Sequence, residues 1–324
     1  MIRGRCQRGV GTISESGACV TDLPAVTAVV PTHNRPEMMQ RAVQSILDQD
    51  YDADVEVIIV FDACEPFDPP VDVPARRKVR TVVNTRSRGL AGARNTGIDA
   101  ASFEYVAFLD DDDYWLPGKL SAQMERFTKP EPPVLVGTAM MVDDGRRTFD
   151  RLVPVEDVTY DALLRDRMAG LHSSTFVFDR AALTGPVGMV DESLPGGYGE
   201  DYDLLLRTAE VGRIEVVNRP LVSVTWAGQS YFFGRWGAYA DGLEYLLARH
   251  PRFAEDRTSM GRLCGQIAFA RAANGQRRAA WSWVARSLRN DVRELRSWLA
   301  AGIALRVLSA PWVVREVQKR GKGI

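Results

Sequence analysis

Short runs of apolar residues alternate with helical patterns through the first third of the chain. Four of these runs predict strands: 26–30, 55–60, 79–83 and 105–109. Two segments between them predict helices: 36–47 and 91–101. Continuous apolar strands that alternate with helices are typical of a mostly parallel sheet that is covered on both faces. The predicted fold class is therefore α/β.

The pattern loosens beyond residue 110 and becomes helical near the C-terminus. Short strands are predicted over four segments: 134–142, 176–178, 214–217 and 221–224. Helices are predicted over six segments: 117–127, 201–211, 239–247, 261–273, 277–288 and 292–317. We therefore expect a mobile lead-in over residues 1–24, an α/β domain over 25–228 and a helical C-terminal region over 229–324.

Bulk composition excludes some classes of protein. Apolar residues make up 45% of the 324 residues, which is enough for a sizeable core. The formal net charge of −1 gives no indication of a nucleic-acid partner. The four cysteines form no C-x-x-C pair, as expected for free thiols in a reducing compartment. No secretory signal or membrane-spanning run is recognised, so we expect a cytoplasmic protein.

Polar residues follow each of the first four predicted strands at the point where the strand ends. They are residues 32–35, Asp62, residues 84–88 and residues 110–113. In open parallel sheets, ligands bind outside the carboxyl ends of the strands. The sequence therefore predicts a ligand site at this edge of the sheet.

Four consecutive carboxylates, Asp110 to Asp113, follow the fourth strand without a spacer. On an extended chain, the side chains of Asp110 and Asp112 would point to the same side. Adjacent carboxylates repel one another, and Mg²⁺ or Mn²⁺ relieves this repulsion while bridging phosphate oxygens. A solvated acidic turn is the alternative. The abrupt change from apolar strand to acid favours a metal site.

A second acidic pair, Glu200 and Asp201, begins a predicted helix after the glycine-rich segment 195–199. Acids in a first helical turn are also favoured by the helix dipole alone. Successive residues of a helix lie about 100° apart, so only one of the two can face a cleft.

Five segments, in order, resemble glycosyltransferase family 2. They are VTAVVPTHNR ending at Arg35, VEVIIVFD ending at Asp62, GLAGARNTGI around Arg94, FLDDDDYW around Asp110, and GEDYDL around Asp201. The resemblance covers roughly residues 25–228. It implies a GT-A fold, which is a Rossmann-like, mostly parallel mixed sheet, here with a C-terminal helical extension. It also implies an inverting, metal-dependent transfer of a sugar from a nucleotide diphosphate-sugar to an acceptor hydroxyl.

The resemblance implies roles for particular residues. Six residues would contact the nucleotide-sugar: Thr32, Arg35, Asp62, Arg88, Arg94 and Asp110. Asp112, together with Asp110, would bind Mg²⁺ or Mn²⁺, and Asp201, with Glu200 beside it, would be the catalytic base. Because Asp62 would receive a nucleobase that is usually uracil, a UDP-sugar is the favoured donor. The acceptor would be a sugar or a lipid-linked molecule.

Some positions depart from the family pattern or have a second interpretation. Phe61 replaces the first acid of a usual Asp pair, and Trp226 lies where many members have a histidine. His172 is therefore a candidate metal ligand, although a lone histidine is more often a hydrogen-bonded structural residue. Arg94 either contacts the diphosphate or pairs with a structural carboxylate.

Two other functions remain open. The chain could be a catalytically silent subunit that binds a sugar nucleotide or serves as a scaffold. A sugar nucleotidyltransferase would share the scaffold, but it would have a glycine-rich phosphate loop after the first strand, which residues 31–34 do not provide.

The C-terminal tail is locally basic, since residues 286–324 contain nine Lys or Arg against three acids. Tryptophans lie among or near the arginines: Trp281, Trp283, Trp298 and Trp312. These helices could pack on the α/β domain, cover the acceptor side, form a homodimer or lie peripherally on an anionic inner membrane face. The sequence leaves these alternatives open.

Overall fold

A computed structural model describes residues 23–155, 157–226 and 235–319. Almost all of the predicted lead-in, including Cys6 and Cys19, lies outside the described residues, as do residues 227–234 and the basic side chains of Arg320 and Lys322. Cys64 and Cys264 are free thiols, as expected.

The strands of the described residues form one ten-stranded sheet. In chain order, β1 to β10 are Val26–Thr32, Val55–Phe61, Arg77–Val83, Tyr105–Phe108, Tyr114–Trp115, Leu135–Asp143, Thr148–Arg151, Asp157–Val158, Val177–Asp179 and Ile214–Thr225. Their order in the sheet is β3-β2-β1-β4-β9-β6-β10-β5, with β7 beside β6 and β8 beside β10. Strands β3, β2, β1 and β4 are parallel neighbours, and β9 is antiparallel to both β4 and β6. The predicted mixed, mostly parallel sheet is confirmed.

Helices cover both faces of this sheet. In chain order, α1 to α11 are Pro36–Leu47, Leu90–Ala100, Lys119–Phe127, Tyr160–Arg165, Arg180–Thr184, Glu200–Val211, Trp236–Arg249, Arg257–Ala273, Arg277–Asn290, Leu295–Ala304 and Ala310–Lys319. Buried residues of α1 and α3 pack on one face, and those of α2, α6 and α8 belong to the core on the other face. The core therefore has two layers, separated by the sheet.

Helix α2 lies unusually close to the central strand β1. A Cβ atom added at Gly97 would be 2.2 Å from Cγ1 of Val29, far inside van der Waals contact. Only glycine permits this approach, and it brings the first turn of α2 to the carboxyl ends of β1 and β4.

The C-terminal helices form a third, smaller core, and helix α8 connects it to the rest. Leu263 and Ile267 of α8 belong to the main core, whereas Phe269 of the same helix packs with α9, α10 and α11. The structure contains a helical C-terminal region, as predicted. Within the described residues, no helix is both long and apolar enough to cross a membrane.

Two predictions about individual elements are wrong. Residues 292–317 form two helices rather than one, because the chain turns at Arg306, which has a φ of 63°, and restarts before Pro311. The two short strands predicted at 214–217 and 221–224 are one strand, β10, which runs parallel to β6 with register irregularities on either side of Pro220.

Candidate active site

The carboxyl end of β4 places the four aspartates. The sequence suggested an extended chain here, but the chain turns at Asp111 and Asp112. The backbone N–H of Asp113 donates to the carbonyl of Asp110 at 3.1 Å. The turn places Asp110 and Asp113, rather than Asp110 and Asp112, beside His172.

Arg94, in the first turns of α2, joins the separate acidic segments. Its side chain is only 2% exposed; it donates to Asp110 at 2.5 Å, to the Ser173 hydroxyl at 2.8 Å and to Glu200. Burial opposes the charge of Arg94, but Asp110 and Glu200 more than offset it and raise its pKa above the ordinary value. The structure thus shows Arg94 paired with buried carboxylates, which is the second of the two interpretations above.

Glu200 and Asp201 begin α6 and point to different partners. Burial raises the pKa of Glu200 to about 7, although Arg94 opposes this shift. Burial also acts against the charge of Asp201, but its ion pair with Arg167, at 2.5 Å, brings the pKa below the ordinary value. Asp201 is therefore ionised near neutral pH. Glu200 is part of the Arg94 cluster.

Asp110, Asp113 and His172, which we call the acidic triad, could hold a metal ion, since one ligand atom from each lies within 4.8 Å of the others. Asp113 accepts from the Ser174 hydroxyl at 2.6 Å and from the backbone N–H of Thr225 at 3.1 Å. Burial, followed by the charges of Asp110 and Asp112, raises the pKa of Asp113 well above its ordinary value.

This donor set fits a divalent cation. Burial lowers the pKa of His172, so its imidazole is neutral, and a neutral imidazole can offer a lone pair to a metal. In the structure, Nδ1 of His172 accepts from the backbone N–H of Ser174 at 3.3 Å. Two carboxylates suit Mg²⁺ or Mn²⁺, and a cation would relieve the repulsion that disfavours ionised Asp113. Asp113 was not among the metal ligands predicted from the sequence. Its position three residues after Asp110, at the far end of a four-residue turn, is the signal that could have found it.

Asp112 faces a different partner. Its carboxylate, 37% exposed, lies 3.0 Å from the guanidinium of Arg35, which also contacts Asp111 at 3.0 Å. Thr32 donates its hydroxyl hydrogen to Asp111 at 2.8 Å. Thr32 and Arg35, at the end of β1, therefore fix the turn that carries the aspartates. The metal-binding role of Asp112 remains a prediction.

Asp62 ties the end of β2 to the loop before α2. Its two oxygens accept from the Asn84 side chain at 2.7 Å and from the backbone N–H of Gly89 at 2.9 Å. Gly89 has a φ of 117°, a conformation that favours glycine. Arg88 is exposed in the same loop. The residues predicted to contact the nucleotide thus lie along the strand ends, and the contacts themselves stay a prediction.

The chain is similar to several known proteins. The profile of Glycosyl transferase family 2 matches residues 27–184. The chain is 27% identical over 194 residues to UDP-Glc:alpha-D-GlcNAc-diphosphoundecaprenol beta-1,3-glucosyltransferase WfgD of Escherichia coli, covering 60% of this chain and 73% of the relative. It is 32% identical over 205 residues to the succinoglycan biosynthesis protein ExoO of Rhizobium meliloti, covering 60% of this chain and 58% of the relative.

The fold has a counterpart among solved structures. S. aureus TarS 1-349 in complex with UDP-GlcNAc superimposes with a TM-score of 0.62 and 17% identity, over 92% of each chain. The sheet and its acidic edge, with these similarities, define a glycosyltransferase of the GT-A fold. The match to glycosyltransferase family 2 spans residues 27–184, which is just under half of the chain.

Replacing Arg94 tests its role as the charge that holds the site together. We expect Arg94→Gln to lower the free energy of unfolding by about 3–5 kcal/mol at pH 7, because it leaves the partly buried Asp110 and the buried Glu200 without their cation. Urea denaturation followed by circular dichroism measures this change.

Two further variants serve as controls. Arg94→Gln combined with Glu200→Gln should recover part of the loss, because one of the uncompensated carboxylates is removed. Arg86→Gln, which removes an arginine that is 37% exposed and pairs with Asp99, should cost no more than about 1 kcal/mol. An Arg94→Gln protein as stable as the wild type would contradict the role given to Arg94.

Proposed function

We propose that the protein transfers a sugar from a UDP-sugar to a hydroxyl group of a lipid-linked saccharide, with inversion at the anomeric carbon and with the help of Mg²⁺ or Mn²⁺. The observation that carries this proposal is the meeting of an ionised Asp201 and the acidic triad at one edge of the sheet, where Arg94 connects the segments that bear them. WfgD, by its name, uses UDP-glucose and a diphosphoundecaprenol-linked acceptor, which supports both substrate classes.

The donor would lie across the strand ends. Its base would approach Asp62, whose oxygens keep lone pairs beyond the bonds to Asn84 and Gly89. Its diphosphate would lie between the exposed Arg88 and the acidic triad. Arg35 and Thr32 would hold the aspartate turn against the diphosphate. Oδ1 of Asp110 would keep its hydrogen bond to Arg94.

Asp110, Asp113 and His172 would hold the divalent cation, with exposed Asp112 as a further candidate ligand. When bound, the cation supplies positive charge against the negative charge that develops on the departing nucleoside diphosphate. The hydroxyl of Ser174 donates to Asp113 at 2.6 Å and, with the neutral imidazole of His172, would orient the set of ligands.

Asp201 would act as the general base. Its carboxylate takes the proton of the acceptor hydroxyl as that oxygen attacks the anomeric carbon from the side opposite to the diphosphate. A new glycosidic bond forms, the bond between the sugar and UDP breaks, and the proton remains on Asp201. A single displacement of this kind inverts the anomeric configuration. Glu200, which is bonded to Arg94, would keep α6 in place.

The C-terminal helices would contact the anionic face of a membrane, where a lipid-linked acceptor resides. Of the 15 large hydrophobic side chains exposed in the described residues, seven lie between Trp281 and Trp312. Trp298 is 55% exposed and Trp312 is 50% exposed. Arginines of the same helices provide positive charge for anionic headgroups.

Changing Asp201 to asparagine should stop turnover without weakening donor binding. The amide cannot accept the hydroxyl proton, so we expect kcat to fall about 10²–10⁴-fold. Transfer is measured by release of UDP from a panel of UDP-sugars with a lipid-linked acceptor, and UDP affinity by calorimetry. Asp161→Asn, in an exposed carboxylate that pairs with Arg252, is the matched control and should keep normal kcat. Near-normal turnover of the Asp201 variant would place the base elsewhere, and binding of UDP-sugars without turnover by the wild type would support a silent binding subunit.

The metal proposal distinguishes Asp113 from Asp112. We expect Mn²⁺ to raise the melting temperature of the UDP-bound protein, EDTA to reverse the effect, and Asp113→Asn to abolish it. Asp112→Asn should retain most of the response, because Asp112 faces Arg35 in the structure. The opposite result, with the response lost in Asp112→Asn and kept in Asp113→Asn, would replace the acidic triad by the pair that the sequence suggested. No response in any protein would end the metal proposal.

The membrane proposal is tested by sedimentation with vesicles. We expect the protein to pellet with phosphatidylglycerol vesicles, much less with phosphatidylcholine vesicles, and the double variant Trp298→Ala/Trp312→Ala to lose most of the binding. Trp226→Ala, in an indole that is 46% exposed at the edge of the sheet, is the matched control and should pellet like the wild type. Equal pelleting of the double variant and the wild type would rule this surface out.

A further inference from the structure

Arg167 forms an ion pair with Asp201, the proposed base, in the structure. Its guanidinium lies 2.5 Å from the carboxylate, and the arginine side chain remains 49% exposed. A base that is paired with arginine has a lowered pKa and accepts a proton poorly. Efficient proton transfer therefore requires something to draw Arg167 away from Asp201 when the acceptor is bound.

A second arginine lies beside Arg167 and has no acidic partner among the described residues. The guanidinium of Arg151, at the end of β7, lies over the indole ring of Trp226, 4.6 Å from its centroid. A Cβ atom added at Gly170 would be 3.1 Å from the carbonyl oxygen of Arg151, so the end of β7 packs directly on the loop that carries Arg167. Burial, and then the charge of Arg167, lower the pKa of Arg151.

This arginine pair borders the proposed cleft. Trp226 directly follows Thr225, whose backbone N–H donates to Asp113 and whose hydroxyl donates to the carbonyl of Asp112. The pair is thus close to both the acidic triad and the proposed base. Arg167 pairs with Asp201, whereas Arg151 has no acidic partner among the described residues, which leaves one positive charge uncompensated. Forked guanidinium groups in this arrangement suit a phosphate group.

We propose that Arg151 and Arg167 bind the phosphate group next to the acceptor sugar, and that this phosphate draws Arg167 from Asp201 and so frees the base. The inference rests on the proposed function, because it takes the acceptor to be a sugar linked to lipid through phosphate. The phosphate provides two or more anionic oxygens. Arg167 therefore exchanges the Asp201 carboxylate for a phosphate oxygen, and Arg151 gains its first anionic partner. An acceptor without phosphate would leave the Arg167–Asp201 pair intact.

The binding test uses the full chain saturated with UDP and Mn²⁺, so that the donor diphosphate site is already filled. The probe is decyl diphosphate, and its affinity is measured by calorimetry. We expect Arg151→Gln and Arg167→Gln each to weaken binding at least tenfold, with Arg167→Lys intermediate. UDP affinity should be unchanged in all variants. Arg165→Gln, in an arginine of the neighbouring helix end that pairs with Asp256, is the matched control and should bind the probe normally.

The outcomes separate this inference from the proposed function. If UDP binds but decyl diphosphate binds equally to the wild type and to both glutamine variants, the arginine pair is not the phosphate site, and the glycosyltransferase proposal stands. If UDP does not bind at all, the proposed function fails first. An inorganic pyrophosphate arm shows whether the lipid chain is needed. Binding of pyrophosphate to the UDP-saturated wild type, lost in Arg151→Gln, supports recognition of the phosphate itself.

A kinetic split tests the release of the base. With a phosphate-linked acceptor, Arg167→Gln should raise KM about tenfold or more and change kcat less than about threefold, because the glutamine leaves Asp201 unpaired. With the same sugar on a neutral decyl glycoside, Arg167→Gln should turn over faster than the wild type. A neutral acceptor that the wild type uses as well as the phosphate-linked one would overturn the proposal.

Discussion

The ion pairs of Arg94 are the interaction on which the rest of the site depends. One buried guanidinium connects α2 to the end of β4, through Asp110, and to the start of α6, through Glu200. These segments are more than a hundred residues apart at the extremes, and hydrophobic packing alone does not specify how their carboxylates meet. Because Gly97 lets α2 lie directly on β1, the positive charge reaches the strand ends from a fixed helix and not from a mobile loop.

The fold was largely predictable from the sequence because its signals are local. The strands β1 to β4 are short apolar runs, and α1 has a clear helical period, so the periodicity of each segment sufficed. The predictions failed where a boundary depends on one backbone feature. The apolar pattern of residues 292–317 is continuous, but the positive φ of Arg306 divides it into two helices. Likewise, β10 continues past Pro220 only because β6 supplies a partner on both sides of the irregularity.

The chemistry of the site was predictable in residue type but not in geometry. The four aspartates, Glu200 and Asp201 were recognised from their positions at strand and helix ends. The sequence could not show which aspartates lie together, because an extended chain brings Asp110 beside Asp112, whereas a turn brings Asp110 beside Asp113. Asp113 is held in position by hydrogen bonds from the Ser174 hydroxyl and the backbone N–H of Thr225, which come from other parts of the chain. Arg167 and Arg151 lie in a region without strong periodicity, and only the fold brings them to Asp201.

The distribution of charge divides the edge of the sheet into two unequal parts. On one side, Asp110 and Asp113 lie close together, and burial, followed by the charges of Asp110 and Asp112, raises the pKa of Asp113. A cation would relieve this repulsion. On the other side, Arg167 pairs with Asp201 while Arg151 has no acidic partner among the described residues, and burial, followed by the charge of Arg167, lowers the pKa of Arg151. Asp201 is electrostatically coupled to both parts, through His172 and through Arg167. A donor diphosphate with its cation would satisfy the first part, and a phosphate on the acceptor would satisfy the second. The two substrates would then meet across the base, which is the arrangement that attack from the face opposite to the leaving group requires.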